Sequence, residues 1–224
     1  MEAPQRIAVI GLGRFGMALA KELALHGSEV IAIDSNPAHI DAIRDHVPLA
    51  VVLDSTDEAA LRSQEVDRLD AVVIAIGGNF ESALLTTVLC RRNLKVPNVI
   101  CRARTTLHAE IFEQIGAHEV INPESDAGQM LGRRLAHPRI HDYITLAAGF
   151  TVIELQCPTE FAGRTLIDLN LRSKYEINMI AIRRPTEEDA RGTITAPKPG
   201  DIVLGTDILL LAGSEEALSK LPQN

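Results

Sequence analysis

Short apolar runs rich in Val, Ile and Ala recur through residues 6–121, and stretches of helical periodicity lie between them. Apolar runs without polar interruption are typical of parallel strands, because helices cover both faces of such a sheet. Six runs are predicted to be strands, over 6–10, 29–33, 50–53, 71–76, 98–101 and 119–121. Helices are predicted over about 14–26, 38–45, 80–93, 106–115 and 123–135, and a further one carries Leu61. The alternation predicts an α/β fold with a Rossmann-type, doubly wound parallel sheet.

A different pattern begins after residues 137–138. Ten uncharged residues between Tyr143 and Val152 are divided by Gly149 and predict two short strands around a turn. The pattern then predicts a short helix near 166–171, strands over 178–182, 202–204 and 207–211, a polar hairpin loop over 185–192 and a terminal helix over 214–221. The chain is therefore predicted to hold a larger α/β domain over 1–136 and a smaller α+β domain over 142–224.

Composition limits the classes of protein that fit this pattern. The 224 residues are 46% hydrophobic but only 3% aromatic, so the core is expected to be aliphatic. The formal net charge is −8 and Lys and Arg form no cluster, which disfavours binding to a nucleic acid polymer. No apolar stretch approaches the ~20 residues that span a bilayer and no signal peptide is recognisable, so a cytoplasmic protein is expected. Three cysteines without metal-binding spacing are interpreted as small buried hydrophobes: Cys90, Cys101 and Cys157.

The most informative motif is a glycine-rich loop with the sequence Gly11-Leu12-Gly13-Arg14-Phe15-Gly16, which follows the first strand and opens the first helix. In a loop of this type the first glycine permits a tight turn and the second lets the backbone approach phosphates. The third lets the helix pack closely on the sheet. The helix N-terminus supplies amide donors and a partial positive charge for the anion. The loop therefore predicts a nucleotide-binding site.

Acidic and polar residues at the ends of the strands add to this prediction. Asp34 lies 23 residues after Gly11, the offset at which a carboxylate meets a ribose, and its charge would repel a 2′-phosphate. Arg14 suits a terminal phosphate, with a solvated arginine as the alternative. Ser55 and Glu58 also have the spacing of a helix-capping box. Further cleft residues are expected at other strand ends, namely Ser35, Asp54, Ser55, Thr56, Ala75, Ile76 and Gly77.

The second domain lacks an evident catalytic group, because residues 142–224 contain no histidine and no cluster of reactive side chains. A dehydrogenase needs a proton-transfer group beside the hydride acceptor. The sequence therefore favours binding over catalysis. An NAD(H)-dependent oxidoreductase and a free-standing NAD(H) or nucleotide sensor remain the alternatives.

Several motifs together resemble one family. They are residues 7–16, 54–58, 73–77 and 122–124 in the first domain, and 163–166, 178–184, 200–201 and 209–211 in the second. The chain resembles the RCK regulatory subunits of Ktr/Trk potassium transporters, of the KtrA-like type with a single RCK unit. The resemblance implies a Rossmann domain that binds ATP or ADP, followed by a small α+β RCK C-terminal domain. It also implies a non-enzymatic subunit, held at the inner face of the membrane by a membrane-embedded potassium transporter subunit. Dimers of such subunits assemble into an octameric ring.

The same resemblance implies roles for particular residues. Arg14 would reach phosphate near a dimer interface, and Glu124 would help to hold Mg²⁺ or Ca²⁺ beside the terminal phosphates. An acid in the first turn of a helix is also favourable by itself, which leaves a purely structural role for Glu124 open. Arg172, Ile177 and Asn178 match positions that bind cyclic di-AMP in this family. A surface arginine and an asparagine at the start of a strand are the alternative interpretation of Arg172 and Asn178.

Overall fold

The computed structural model describes residues 3–136, 140–145, 149–186, 189 and 192–222. The chain divides into two compact units, residues 1–126 and 127–224, and the division falls inside one helix, Pro123–Ala136. The family-like motifs in the first 124 residues all lie in the first unit. Each unit has its own apolar core.

The first unit is a six-stranded parallel sheet flanked by helices. Its strands are β1 (Arg6–Ile10), β2 (Glu29–Asp34), β3 (Leu49–Val52), β4 (Ala71–Ile74), β5 (Asn98–Arg102) and β6 (Glu119–Ile121). Its helices are α1 (Arg14–Leu25), α2 (Pro37–Ile43), α3 (Glu58–Ser63), α4 (Phe80–Val88), α5 (Thr106–Gln114) and the first turn of α6 (Pro123–Ala136), which continues into the second unit. A 3₁₀ turn covers Val66–Arg68 and a π-helical turn covers Leu89–Asn93, which shortens the α-helix predicted over 80–93.

The strand order β3-β2-β1-β4-β5-β6 indicates where on the sheet a ligand would bind. The chain moves outward from β1 to β3 and then crosses back to β4, so β1 and β4 are neighbours with divergent connections. In open parallel sheets, ligands bind in the crevice at the carboxyl ends of the strands at this switch point. Alternate strand residues pack on opposite faces, as Val9 and Ala8 do in separate apolar clusters. The aliphatic core therefore holds the strands that form the crevice, and its side chains supply no polar groups to the site.

The second unit contains an antiparallel sheet with the order β10-β9-β11-β8-β7. Its strands are β7 (Ile140–Thr145), β8 (Phe150–Gln156), β9 (Asn178–Arg184), β10 (Thr193–Thr195) and β11 (Ile208–Ser214). Short helices α7 (Leu166–Leu169), α8 (Leu171–Tyr175) and α9 (Glu215–Ser219) accompany it. The predicted hairpin is present, since β9 and β10 pair antiparallel, although residues 187, 188, 190 and 191 of its loop lie outside the described residues. Residues 137–139 and 146–148 also lie outside them.

Two local predictions are wrong. Helix α3 is capped by Asp57, whose side chain accepts from the amides of Ala59 and Ala60, and not by Ser55. The Ser55 hydroxyl is buried and lies 2.8 Å from Thr86 Oγ1, so a tertiary contact replaces the capping box. Residues 202–204 form no strand, because the chain there makes only an isolated bridge between Ile202 and Thr165.

The cysteines are buried and free, as the sequence indicated. Burial raises the pKa of the Cys90 thiol to about 12 and those of Cys101 and Cys157 to about 11. A thiol with so high a pKa carries almost no thiolate near neutral pH and is a poor nucleophile. The three cysteines therefore contribute packing and no chemistry.

Candidate functional site

The glycine loop begins with a turn that requires glycine at its first position. Gly11 has φ +94°, and a Cβ there would lie 2.8 Å from the backbone nitrogen of Ile76. The Gly11 amide donates to the Ile33 carbonyl at 2.8 Å, and the Ala75 amide donates to the Ile10 carbonyl at 2.7 Å. These bonds fasten the loop between the ends of β2 and β4. A residue with a side chain at position 11 would break this arrangement.

The other two glycines have contrasting surroundings. A Cβ at Gly16 would overlap the carbonyl oxygen of Gly11, so α1 packs directly on the loop. A Cβ at Gly13 would meet nothing within 4 Å, so this glycine faces open space. Gly13 is the N-cap of α1, and no side chain caps the helix there. The first turn of α1 therefore presents its amides at an open surface where a phosphate fits.

Asp34 is bonded to the glycine loop. Its Oδ2 accepts the Leu12 amide at 2.6 Å and its Oδ1 accepts the Asn36 amide at 2.8 Å. The His39 Nδ1 lies 3.1 Å from Oδ2. Burial by itself would raise the pKa of Asp34, but the amides of Asn36 and Leu12 and the nearby His39 imidazole bring it below its ordinary value. The carboxylate is therefore ionised and held rigidly beside the loop.

The end of β3 contributes a small polar turn. Asp54 is exposed, and its Oδ1 accepts both the amide and the hydroxyl of Thr56, at 2.9 and 2.7 Å. These two bonds hold the pKa of Asp54 below its ordinary value. Ser55 points its hydroxyl at Thr86 instead, which leaves Asp54 and Thr56 as the accessible polar groups of this turn.

The end of β4 meets two arginines that the sequence reasoning missed. A Cβ at Gly77 would overlap the guanidinium of Arg102, and Arg104 Nη1 donates to the Gly77 carbonyl at 3.0 Å. Ala75 is buried, whereas Ile76 is partly exposed. Both arginines lie at or just after the carboxyl end of β5, the strand beside β4. Their position at a strand end near the switch point was the available signal.

Arg102 forms an ion pair with Glu124 in the first turn of α6. Its side chain is only 14% exposed, and its Nε is buried without a hydrogen-bond partner. The hydrogen bond from Arg102 lowers the pKa of Glu124 below its ordinary value. Within the described residues no group of three or more His, Cys, Asp and Glu side chains is placed to hold a metal ion. A cation at Glu124 would thus need ligands from a bound phosphate and release of Arg102.

The remaining predicted residues of the loop differ in exposure. Arg14 is exposed at the first position of α1 and forms no ion pair within the part of the chain that the structure describes. Phe15 is partly buried and packs against the apolar cluster under α1 and α2. Ser35 is exposed between Asp34 and Asn36.

The positions matched to cyclic di-AMP binding lie in the second unit. Arg172 in α8 and Asn178 at the start of β9 are exposed, whereas Ile177 is fully buried in the core of that unit. A ligand at this surface would contact Arg172 and Asn178, whereas the buried side chain of Ile177 is withdrawn from it.

Comparison with known proteins identifies the family. Residues 7–123 match the TrkA-N domain and residues 150–222 match the TrkA-C domain. The chain is 33% identical over 217 residues to the Ktr system potassium uptake protein A of Bacillus subtilis (strain 168), which covers 96% of this chain and 95% of that protein. It therefore belongs to the family in which a TrkA-N domain is followed by a TrkA-C domain, and the resemblance found in the sequence is confirmed.

Solved structures agree on the fold. The GsuK RCK domain superimposes with a TM-score of 0.55 and 26% identity, covering 97% of this chain and 46% of that one. The GsuK channel bound to NAD gives a TM-score of 0.53 and 25% identity, over 98% of this chain and 38% of that chain. This chain thus spans less than half the length of those structures. The predicted fold class, a Rossmann-type parallel sheet followed by a small α+β RCK C-terminal domain, is confirmed.

No helix within the described residues has the length and apolar character to span a membrane. The B. subtilis relative is, by its name, a Ktr system potassium uptake protein. Potassium transport is therefore the biological setting of the family to which this chain belongs.

Proposed function

We propose that this chain is a cytoplasmic, nucleotide-sensing subunit of a potassium uptake system, which binds ATP or ADP and regulates a membrane-embedded transporter subunit. One observation carries the proposal. The glycine loop and the ribose-binding carboxylate are joined by the 2.6 Å bond from the Leu12 amide to Asp34, in a chain whose relative is a potassium uptake protein. The bond holds the loop and the carboxylate in one arrangement, which favours binding because little ordering is left to complete.

Each part of a nucleotide has a matching group. The α1 amides and the open surface at Gly13 suit the phosphates. Asp34, with its ionised carboxylate, suits the ribose hydroxyls, and Ser35 lies beside it. Asp54 and Thr56, at the end of the neighbouring strand, suit the edge of the adenine. The further contributors proposed for the cleft wall are Ser55, Ala75, Ile76 and Gly77.

The terminal phosphates are proposed to meet arginines. Among the residues that the structure describes, Arg14 has no ion pair to give up, and the buried Nε of Arg102, beside Gly77, has no hydrogen-bond partner. A phosphate that draws Arg102 toward itself would free Glu124, which then supplies one oxygen ligand to Mg²⁺ or Ca²⁺. Such a cation would neutralise phosphate charge. ATP and ADP would thereby bias the protein toward different states, since a ligand shifts an equilibrium only by its differential affinity.

NAD(H) is the second candidate ligand, because the GsuK channel has been solved bound to NAD. Asp34 suits NAD as well as ATP, because both carry an adenosine ribose with free hydroxyls. Arg102 and Arg104, on the β4–β5 side of the crevice, favour a phosphate-rich ligand over nicotinamide. An oxidoreductase would also need a proton-transfer group in the second unit, where residues 142–224 contain no histidine.

Calorimetric titration of the full chain with ATP, ADP, NADH and cyclic di-AMP tests these assignments. We expect ATP and ADP to bind more tightly than NADH, and cyclic di-AMP to bind at a separate site in the second unit. An Arg172→Ala variant is the matched control, because it should lose cyclic di-AMP alone. Tightest binding by NADH, with weak ATP and ADP, would contradict the proposed ligand.

Self-assembly is the other part of the proposal. Dimers are proposed to form an octameric ring that docks on the transporter subunit at the inner face of the membrane. Light scattering of the full chain in ATP and in ADP measures the mass of the assembly directly. A mass corresponding to a monomer under both conditions would contradict the ring, while leaving the nucleotide site to the titration above.

A further inference from the structure

His39 lies in α2 with its ring against the nucleotide-binding carboxylate. Its Nδ1 is 3.1 Å from Asp34 Oδ2, the same oxygen that accepts the Leu12 amide. Nδ1 is shielded from solvent but makes no hydrogen bond of good geometry, whereas the side chain as a whole is 42% exposed. The imidazole is therefore open to solvent on one side, while its buried nitrogen faces Asp34.

The electrostatic surroundings of the ring are simple. Within the described residues, Asp34 is the carboxylate that lies within 4 Å of the imidazole. On α2 itself Asp41 pairs with Arg44 at 3.3 Å. The elements packed against α2 bring few other charged or titratable groups, and β3 has none. The others are Glu29 in β2, three residues of α1 (Arg14, Lys21 and Glu22), and Asp45 and His46 after α2. A proton gained by His39 acts first on Asp34.

We propose that His39 is a positioning residue that makes nucleotide binding proton-dependent, through competition with the ribose for Asp34. The inference rests on the proposed function of the site. A carboxylate offers about four lone-pair sites, and the Asn36 and Leu12 amides already occupy two of them. A protonated imidazole would add a charge-assisted bond to Oδ2, which is stronger than the bond from a neutral ribose hydroxyl. Ribose binding then has to loosen that bond.

The direction of the effect follows from this competition. Histidine is the side chain whose ordinary charge change falls between about pH 5 and 8. The neutral ring leaves Oδ2 free for the ribose, so nucleotide binds most tightly to that form. The imidazolium holds Asp34, so affinity falls as the pH is lowered. By reciprocity, nucleotide binding releases a proton from the protein.

The test compares ADP affinity at about pH 6 and about pH 8 in the full chain and in His39→Gln. We expect wild-type affinity to fall about three- to fivefold more than that of the variant at the lower pH, the range of a partly exposed ion pair. The titration of the ADP phosphate is common to both proteins and cancels in the comparison. His26→Gln is the matched control, because His26 lies 3.0 Å from Glu22 in a similar pair at the other end of α1.

Two further measurements separate this role from a structural one. Calorimetry in buffers of different ionisation enthalpy should show a fraction of a proton released per ADP in wild type and less in His39→Gln. His39→Lys, which keeps a permanent charge, should bind ADP weakly at both pH values, and His39→Asn serves as a second neutral variant. An unchanged pH dependence in the neutral variants would overturn the inference. Failure of wild type to bind ADP at either pH would instead overturn the proposed function.

Discussion

The two walls of the crevice are built in different ways. On the β1–β2 side, backbone amides of Gly11, Leu12 and Asn36 hold the loop and Asp34 in bonds of 2.6–2.8 Å. On the β4–β5 side, the long side chain of Arg102 spans from Gly77 to Glu124 and leaves its Nε without a partner. The first wall is fixed by the backbone, and the second consists of side chains that can exchange partners. We infer that the first selects the ligand class and the second responds to its phosphates.

On the β1–β2 side of the crevice, which the backbone fixes, the largest effect is expected from a substitution at Gly16. We expect Gly16→Ala to lower the free energy of unfolding by about 3 kcal/mol and to abolish ADP binding, because its Cβ overlaps the Gly11 carbonyl. Chemical denaturation and calorimetry measure the two effects. Gly13→Ala is the matched control: with nothing within 4 Å of its Cβ, it should change stability by less than about 1 kcal/mol and weaken only binding. A stable Gly16→Ala protein with normal ADP affinity would show that the loop has no rigid role.

Asp34→Asn removes the negative charge from the β1–β2 side of the crevice and keeps the shape of the side chain. We expect ADP affinity to fall about tenfold or more, the range for a lost hydrogen bond to a charged group. Asp54→Asn, at an exposed carboxylate, is the control and should cost less.

Asp34 also predicts a pH dependence of stability. Its folded-state pKa is lowered, so its contribution is present above its unfolded pKa and is lost as pH falls through the folded value. Wild type should lose its stability advantage over Asp34→Asn below about pH 4. Thermal unfolding between about pH 7 and pH 3 checks this; a constant difference would contradict it.

On the β4–β5 side of the crevice, where side chains can exchange partners, we expect substitutions to have a smaller effect on affinity that differs between nucleotides. Arg102→Gln should weaken ATP by about threefold more than AMP, because its guanidinium is proposed to meet the outer phosphates. Glu124→Gln should raise ATP affinity slightly without divalent cations, because Arg102 then has no ion pair to give up, and should reduce the gain that Mg²⁺ brings. Titrations with and without Mg²⁺ separate the two variants. Equal losses of ATP and AMP affinity in Arg102→Gln would show that the β4–β5 side does not recognise the outer phosphates.

The difference between the walls also explains what the sequence could predict. The glycine loop, its helix and Asp34 were predictable because turn geometry and strand ends are encoded within some 25 consecutive residues. The role of Ser55 was not, since its hydroxyl bonds to Thr86, 31 residues away, and Asp57 takes the cap. Arg102 and Arg104 escaped notice because their importance depends on β5 lying beside β4. Residues 202–204 have strand-like composition, but no neighbouring strand extends to pair with them.

The central claim is that the crevice distinguishes nucleotides by their outer phosphates, through arginines on both of its sides, and Arg14 tests it most directly. The measurement is the ratio of ATP to AMP affinity in wild type and in Arg14→Ala, by calorimetry on the full chain. We predict that the variant loses ATP affinity by about three- to tenfold and AMP affinity hardly at all, because Arg14 is exposed and, within the described residues, has no ion pair that would hold it away from a terminal phosphate. Equal losses for both nucleotides, or no loss, would contradict the claim.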